Sequence, residues 1–127
     1  MSGIDQYKSV HAATTSPHEL IQMLLDKYIV RVDQAIEATN EKNIEKKSIA
    51  ISKSIEILGA LEESLNIEKG GELAENLRNL YEYSRGCLVK SSTIHNVSHL
   101  IEAKELIEQV RDGWSAIPEP YRSMDKF

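Results

Sequence analysis

Two histidines four residues apart are the side chains in this sequence best spaced for metal chemistry. His95 and His99 would share one face of a helix, which is the spacing of two zinc ligands, but no third ligand falls in register with them. A phosphotransfer histidine is also disfavoured, because Glu102 and Ala103 follow His99 where such helical domains carry Lys and Gly. We therefore interpret the pair as a solvated segment near a helix start.

The single cysteine and the one double glycine offer little further chemistry. Cys87 has no internal disulfide partner and no His or Lys cluster beside it, so we expect a packed thiol rather than a reactive thiolate. Gly70 and Gly71 lack the flanking pattern and the preceding strand of a phosphate-binding loop. The sequence predicts no catalytic residues, no cofactor and no metal site.

Composition limits the classes of protein to consider. The chain has 127 residues, enough for one domain, and its six Gly and three Pro favour helices over a β-sandwich. A net charge of -5 disfavours nucleic acid as a partner, because phosphate backbones are bound by clustered Lys and Arg. With no signal peptide and no apolar span long enough for a membrane, we expect a cytoplasmic protein that is not inserted in a membrane.

Apolar residues recur at spacings of three and four in four segments, which is the pattern of helices with one buried face. The first segment opens with a capping box, Ser16 to Glu19, with Pro17 at the first helical position. The predicted core residues are Ile21, Leu24, Leu25, Tyr28, Val32, Ala35 and Ile36, then Ile44, Ile51, Ile55, Leu58 and Leu65, then Leu73, Leu77, Leu80, Tyr81, Ser84 and Leu88, and finally Leu100, Ala103, Ile107, Val110 and Trp114.

Short connections between these segments predict an all-α fold, an antiparallel four-helix bundle. We expect an N-terminal arm over residues 1–15, the bundle over 16–117 and an irregular C-terminal tail over 118–127. Gly70 or Gly71 is predicted to supply the left-handed residue that closes the second helix and lets the third reverse direction. Gly86 falls inside the third helix, at a cost of about 1 kcal/mol relative to Ala.

Several apolar residues fall outside these predicted core stripes. Single exposed apolar residues are normal, but a set of them on neighbouring helices suggests grooves on the outside of the bundle that bind a partner. The predicted groove residues are Met23, Val30, Ile49, Ile57, Ala60 and Tyr83. Ile4, Tyr7 and Val10 recur every three residues in the arm, which is either a frayed terminus or a segment that docks on such a groove.

Three motifs, in this order and at these separations, resemble the FliS family of flagellin-specific export chaperones. They are "SPHELIQML" at the first helix, "NIEKGGELAENLRNLYEY" before and along the third helix, and "RDGW" near the end, so that the resemblance covers nearly the whole chain. It implies a helical bundle that holds the disordered C-terminal segment of flagellin, blocks its premature polymerisation and brings it to the flagellar export gate.

The same resemblance matches Ile4 and Tyr7 to a hydrophobic arm that occupies a groove in the free chaperone and engages the export gate. Binding would follow the helix-in-groove mode and would need no catalysis. Two alternatives stay open from the residues alone, namely a helical scaffold and a chaperone for another secreted protein. Whether the free protein forms a homodimer also stays open.

Overall fold

The computed structural model describes residues 16–116, and in this part of the chain it contains four α-helices and no strand. The helices are α1 Pro17–Asn40, α2 Ile44–Glu63, α3 Ile67–Ser91 and α4 Ser98–Ser115. The predicted all-α fold of four helices is confirmed. The arm, with Ile4, Tyr7 and Val10, and the predicted tail lie outside the described residues. None of the described helices is both long and apolar enough to cross a membrane.

The four helices form a ring in which each one packs against two others. Helix α1 packs against α2 and α4, while α3 packs against α4 and α2, and the contact between α2 and α3 is the least extensive. The connections 41–43, 64–66 and 92–97 are short, so consecutive helices run antiparallel. The described bundle thus closes on itself, with α1 beside α4.

Side chains that cap helix N-termini explain where three of the helices begin. The Ser16 hydroxyl accepts the backbone N–H of Glu19, and Asn43 and Asn66 each accept the N–H three residues further on. Helix α4 begins after Val97 without such a cap. Side-chain capping therefore predicted the start of α1 correctly, whereas α4 begins without this signal.

The core confirms the predicted stripes of the first and last helices. In α1 the buried apolar residues are Leu20, Ile21, Leu24, Leu25, Tyr28, Ile29, Val32, Ala35 and Ala38, and in α4 they are Leu100, Ala103, Ile107 and Trp114. The Tyr28 hydroxyl donates to the carbonyl oxygen of Ala103 at 3.2 Å, which satisfies a buried polar group between α1 and α4.

Helix α2 differs from its predicted face. Ile44, predicted as core, is 66% exposed at the start of the helix, whereas Lys47 and Ser54 are buried. The buried face is wide because α2 packs against both α1 and α3, and it therefore includes residues on either side of one stripe. The ammonium of Lys47 donates to the carbonyl oxygen of Ile94 at 2.9 Å and so holds the α3–α4 connection against α2.

The double glycine lies at a kink within α3, between a short first turn and the rest of the helix, and not between α2 and α3. The chain reverses at residues 64–66, and Asn66 caps the next helix four residues before Gly70. Gly71 has φ 54° and ψ -131°, a conformation that residues with a Cβ avoid, and it kinks the helix just after its first turn. Contrary to the prediction, the glycines do not close the second helix, but Gly71 does have the positive φ that was expected of one of them. Leu73, predicted as core just after the kink, is exposed.

Candidate partner-binding surface

A groove of about 360 Å³ runs along the outside of the bundle between α1 and α2. Its lining includes Ala38 and Ala50, which are buried and small, so the two helices leave a shallow channel between them. Charged side chains of both signs form the rest of the lining, among them Glu37 on α1 and Lys46 and Lys53 on α2. The groove suits an amphipathic segment that is apolar on one side and charged at its edges.

Two of the predicted groove residues lie on this outer surface. Ile49 lines the groove and is 50% exposed, and Val30 is 52% exposed. Val30 precedes the groove residues Gln34 and Glu37 by four and seven positions, so it continues the same face of α1 by one turn. Ile49 in the lining and Val30 beside it therefore add exposed apolar side chains to a groove whose walls are mostly charged.

The other predicted groove residues of α1 and α2 lie elsewhere. Ile57 and Ala60 are 2% and 1% exposed and belong to the core, so the prediction that they face outward is wrong. The physical reason is the wide buried face of α2, which takes in both sides of its apolar stripe. Met23 is half-buried and packs against the core cluster.

Tyr83 lies on a different face, on the seam between α3 and α4. Its ring is 54% exposed and its hydroxyl donates to Oε2 of Glu102 at 2.8 Å. The other carboxylate oxygen, Oε1, accepts from the thiol of Cys87 at 3.4 Å. These two hydrogen bonds lower the pKa of Glu102, and burial, followed by the nearby carboxylate, raises the pKa of the Cys87 thiol to about 11.

The structure also brings His99 into this seam. Ligand atoms of Cys87, His99 and Glu102 all lie within 4.8 Å of one another. The sequence interpretation missed this cluster because it looked for a third ligand near the two histidines along the chain. His95 in fact lies in the α3–α4 connection, where it lines a separate cavity of about 310 Å³ with Ile44. The two histidines therefore do not share a helix face.

Comparison with known proteins places the chain in a family. The model of the family described as "Flagellar protein FliS" matches residues 1–120. The chain belongs to the FliS family. It is 40% identical over 121 residues to the flagellar secretion chaperone FliSB of Pseudomonas aeruginosa, which covers 92% of this chain and 96% of that relative.

Two further FliS relatives are similar over almost the same length. The flagellar secretion chaperone FliS of Salmonella typhimurium is 31% identical over 121 residues, covering 91% of this chain and 90% of the relative. The protein of the same name from Vibrio cholerae is 28% identical over 125 residues, covering 95% and 92%. The family and the coverage agree with the resemblance that the sequence motifs carry.

Two of the FliS-like motifs meet in the folded chain. His18, from "SPHE", stacks on Trp114, from "RDGW", with ring centroids 4.9 Å apart and planes 9° from parallel. Nε2 of His18 donates to the carbonyl oxygen of Trp114, and the indole N–H donates back to the carbonyl oxygen of His18. These motif residues therefore join the first and last helices of the bundle.

The remaining motif, "NIEKGGELAENLRNLYEY", has one buried and one exposed side. Ala74 and Tyr81 are buried, whereas Tyr83 points to solvent beside Glu102. Burial raises the pKa of Tyr81, so its hydroxyl stays protonated in the core. Within this FliS-like motif, Tyr83 is the tyrosine available to a partner.

Proposed function

We propose that this protein is a flagellar export chaperone that binds the disordered C-terminal segment of flagellin, keeps it from polymerising prematurely and delivers it to the flagellar type III export apparatus. Membership in the FliS family supports this proposal, as do relatives that are named flagellar secretion chaperones and match almost the whole chain. The observation that carries it in the structure is the pair of exposed apolar side chains, Val30 and Ile49, along a groove between α1 and α2.

The groove fits a helix of the partner that places small or branched apolar residues against Ala38 and Ala50. Charged groups on both walls, such as Glu37 and Lys53, pair with polar residues at the edges of that helix and set its direction. Holding the segment in this way needs no bond-making step. Premature polymerisation is blocked because the apolar residues of flagellin that would assemble are covered.

The free energy of binding requires the flagellin segment to contact more of the bundle than this one groove. Full burial of an apolar side chain contributes about 1.5–3 kcal/mol, and ordering a disordered segment costs roughly 2–5 kcal/mol. Val30 and Ile49 alone would do little more than offset that cost. We therefore propose that the segment continues to the α3–α4 face and contacts Tyr83, which makes the partner wrap around the bundle.

A titration of the purified protein with a flagellin C-terminal peptide tests this function. The double variant Val30→Ser with Ile49→Ser should weaken binding at least tenfold, or about 1.4 kcal/mol, in isothermal titration calorimetry. The matched control is Val89→Ser, since Val89 is similarly exposed but lies on α3 outside the groove. Circular dichroism should show both variants folded.

The possible failures of this test have different meanings. If the unaltered protein fails to bind the flagellin peptide but binds a peptide from another exported flagellar protein, the partner is wrong and the chaperone function stands. If flagellin binds but the double variant binds equally well, the groove is wrong. Size-exclusion chromatography of the free protein shows whether a second copy of the chain covers the groove when no flagellin is present.

Delivery to the export gate is the second half of the proposal and rests on the resemblance alone. We propose that the arm with Ile4, Tyr7 and Val10 covers the groove in the free protein and engages the gate after flagellin has displaced it. A tethered segment competes well because its effective concentration is high. Deleting residues 2–12 should preserve or strengthen flagellin binding while reducing flagellin secreted into the medium by a complemented strain. Loss of flagellin binding on this deletion would show instead that the arm contacts flagellin.

A further inference from the structure

The seam between α3 and α4 holds a set of side chains typical of a transition-metal site. Cys87 comes from α3, and His99 and Glu102 come from α4, with one ligand atom of each within 4.8 Å of the others. The spacing of three between His99 and Glu102 places both on one face of α4, turned toward Cys87. Two packed helices therefore supply three different donor atoms to one point.

The distances allow a tetrahedral metal ion once the three ligand atoms, which lie within 4.8 Å of one another, draw closer together. Bonds of about 2.0–2.3 Å from sulfur, nitrogen and oxygen to Zn²⁺ place ligand atoms roughly 3.5 Å apart. The Cys87 sulfur and Oε1 of Glu102 already lie 3.4 Å apart. At present the thiol proton bridges these two atoms, and a metal ion would replace that proton, which leaves to solvent.

Charge and ligand softness also agree with a divalent ion of the zinc class. A thiolate and a carboxylate together carry two negative charges, which balance the ion, and the imidazole binds as a neutral ligand. Cys87 is 4% exposed, so this side of the site is shielded from solvent. Sulfur and imidazole donors select against Mg²⁺ and Ca²⁺, which prefer oxygen ligands.

Tyr83 supports the arrangement from outside the ligand set. Its hydroxyl donates to Oε2 of Glu102, the oxygen that does not contact the thiol, and so directs Oε1 toward the sulfur. Hydrogen bonds of this kind orient metal-binding carboxylates in many sites. The residue four positions after Tyr83 on α3 is Cys87, so both groups reach Glu102 from the same face of that helix.

We propose that Cys87, His99 and Glu102 form a binding site for a divalent transition-metal ion of the zinc class, with a solvent molecule as the fourth ligand and Tyr83 positioning Glu102. The ion joins α3 to α4 beside Tyr83. It would stiffen the seam at a face that the proposed partner contacts, but the site itself does not depend on flagellin binding.

Cobalt titration of the full-length, chelator-treated protein tests the proposal. Co²⁺ substitutes for Zn²⁺ and reports its ligands by colour. We expect one equivalent of Co²⁺ to produce a thiolate-to-cobalt charge-transfer band and intense tetrahedral visible bands, both removed by added Zn²⁺. Cys87→Ser should abolish the charge-transfer band, and His99→Ala and Glu102→Gln should each weaken binding.

Matched variants distinguish metal binding at this specific site from nonspecific metal binding by any histidine. His95→Ala should leave the spectrum and affinity unchanged, because His95 lies in another cavity. Tyr83→Phe keeps all three ligands and should weaken Zn²⁺ binding about tenfold. An absent charge-transfer band, or an affinity that falls as much in His95→Ala as in His99→Ala, would overturn the site.

A second measurement covers the case in which Cys87→Ser fails to fold. Zn²⁺ should slow alkylation of Cys87 by iodoacetamide in the unaltered protein, because the metal-bound sulfur no longer reacts freely. The same ion should give no protection in His99→Ala. Equal alkylation rates with and without Zn²⁺ in the unaltered protein would contradict the proposal.

Discussion

His18 and Trp114 each donate a side-chain hydrogen bond to the other's backbone carbonyl, at 2.9 and 3.0 Å, while their rings stack. The two residues are 96 positions apart in the chain. Both rings are buried, so each polar N–H needs a hydrogen-bond acceptor, and this exchange provides one for each. The contact therefore combines aromatic packing with two satisfied donors where α1 begins and α4 ends.

Replacing the indole tests what this contact contributes to stability. Trp114→Phe keeps an aromatic ring but removes the N–H donated to His18, and we expect a loss of about 1–2 kcal/mol in the free energy of unfolding. Urea denaturation followed by circular dichroism measures this loss. His95→Ala, at an exposed position, is the control and should change little. An unchanged midpoint for Trp114→Phe would mean that the exchange is not needed.

Gly71 and Gly86, both in α3, should respond in opposite directions to the same substitution. Gly71→Ala should destabilise the protein by more than about 1 kcal/mol, because its positive φ strains any residue with a Cβ. Gly86→Ala should stabilise it by roughly 0.5–1 kcal/mol, because Gly86 is helical and an added Cβ meets open space. Denaturant midpoints of the two variants decide the matter, and a stabilising Gly71→Ala would contradict the kink.

Ile49 and Ile57, both predicted as groove residues, should differ in how much their replacement lowers the stability of the protein. Ile57→Ser buries a hydroxyl and leaves a cavity, and we expect a loss of about 3 kcal/mol in unfolding free energy. Ile49→Ser alters a half-exposed side chain and should stay within about 0.5 kcal/mol. Thermal unfolding of both variants measures the difference. Similar melting temperatures would show that Ile57 is not core.

The carboxylate of Glu102 should titrate according to its two hydrogen bonds. Tyr83→Phe removes the larger cause of its lowered pKa, so the pKa should rise toward the ordinary glutamate value. Carbon-detected nuclear magnetic resonance of the metal-free protein measures this shift. Because the folded-state pKa is depressed, the interaction stabilises the fold above the unfolded pKa and is lost as the pH falls through the folded value. A pKa unchanged by Tyr83→Phe would rule out this hydrogen bond in solution.

Periodicity predicted α1 and α4 well because the side chains that these helices bury are almost all apolar. The same method failed on α2, where Lys47 and Ser54 are buried and Ile44 is exposed. A lysine reads as a surface residue in any sequence pattern. The burial of Lys47 depends on the carbonyl oxygen of Ile94, which lies in the connection after the next helix, α3.

The residues of the candidate surfaces also divide into those that the sequence predicted and those that it did not. Val30, Ile49 and Tyr83 were predicted to lie outside the apolar stripes of their helices, and all three are exposed. The same reasoning was wrong for Ile57 and Ala60, which are buried. The cluster of Cys87 with His99 was not found, because it depends on how α3 and α4 are rotated against each other. The spacing of residues within one helix does not predict how that helix is rotated against its neighbour.

The ring order of the helices has a consequence for a chain that emerges from the ribosome one end first. Helix α1 is made first, yet one of its two neighbours in the bundle is α4, the last of the described helices to be made. Helix α2 is available early to pack against one side of α1. Until α4 has emerged, the side of α1 that carries Tyr28 and later packs against Ala103 has no helix to cover it. The newly made protein therefore passes through an interval in which it exposes an apolar helix face itself, and the synthesis of the segment ending at Trp114 ends that interval.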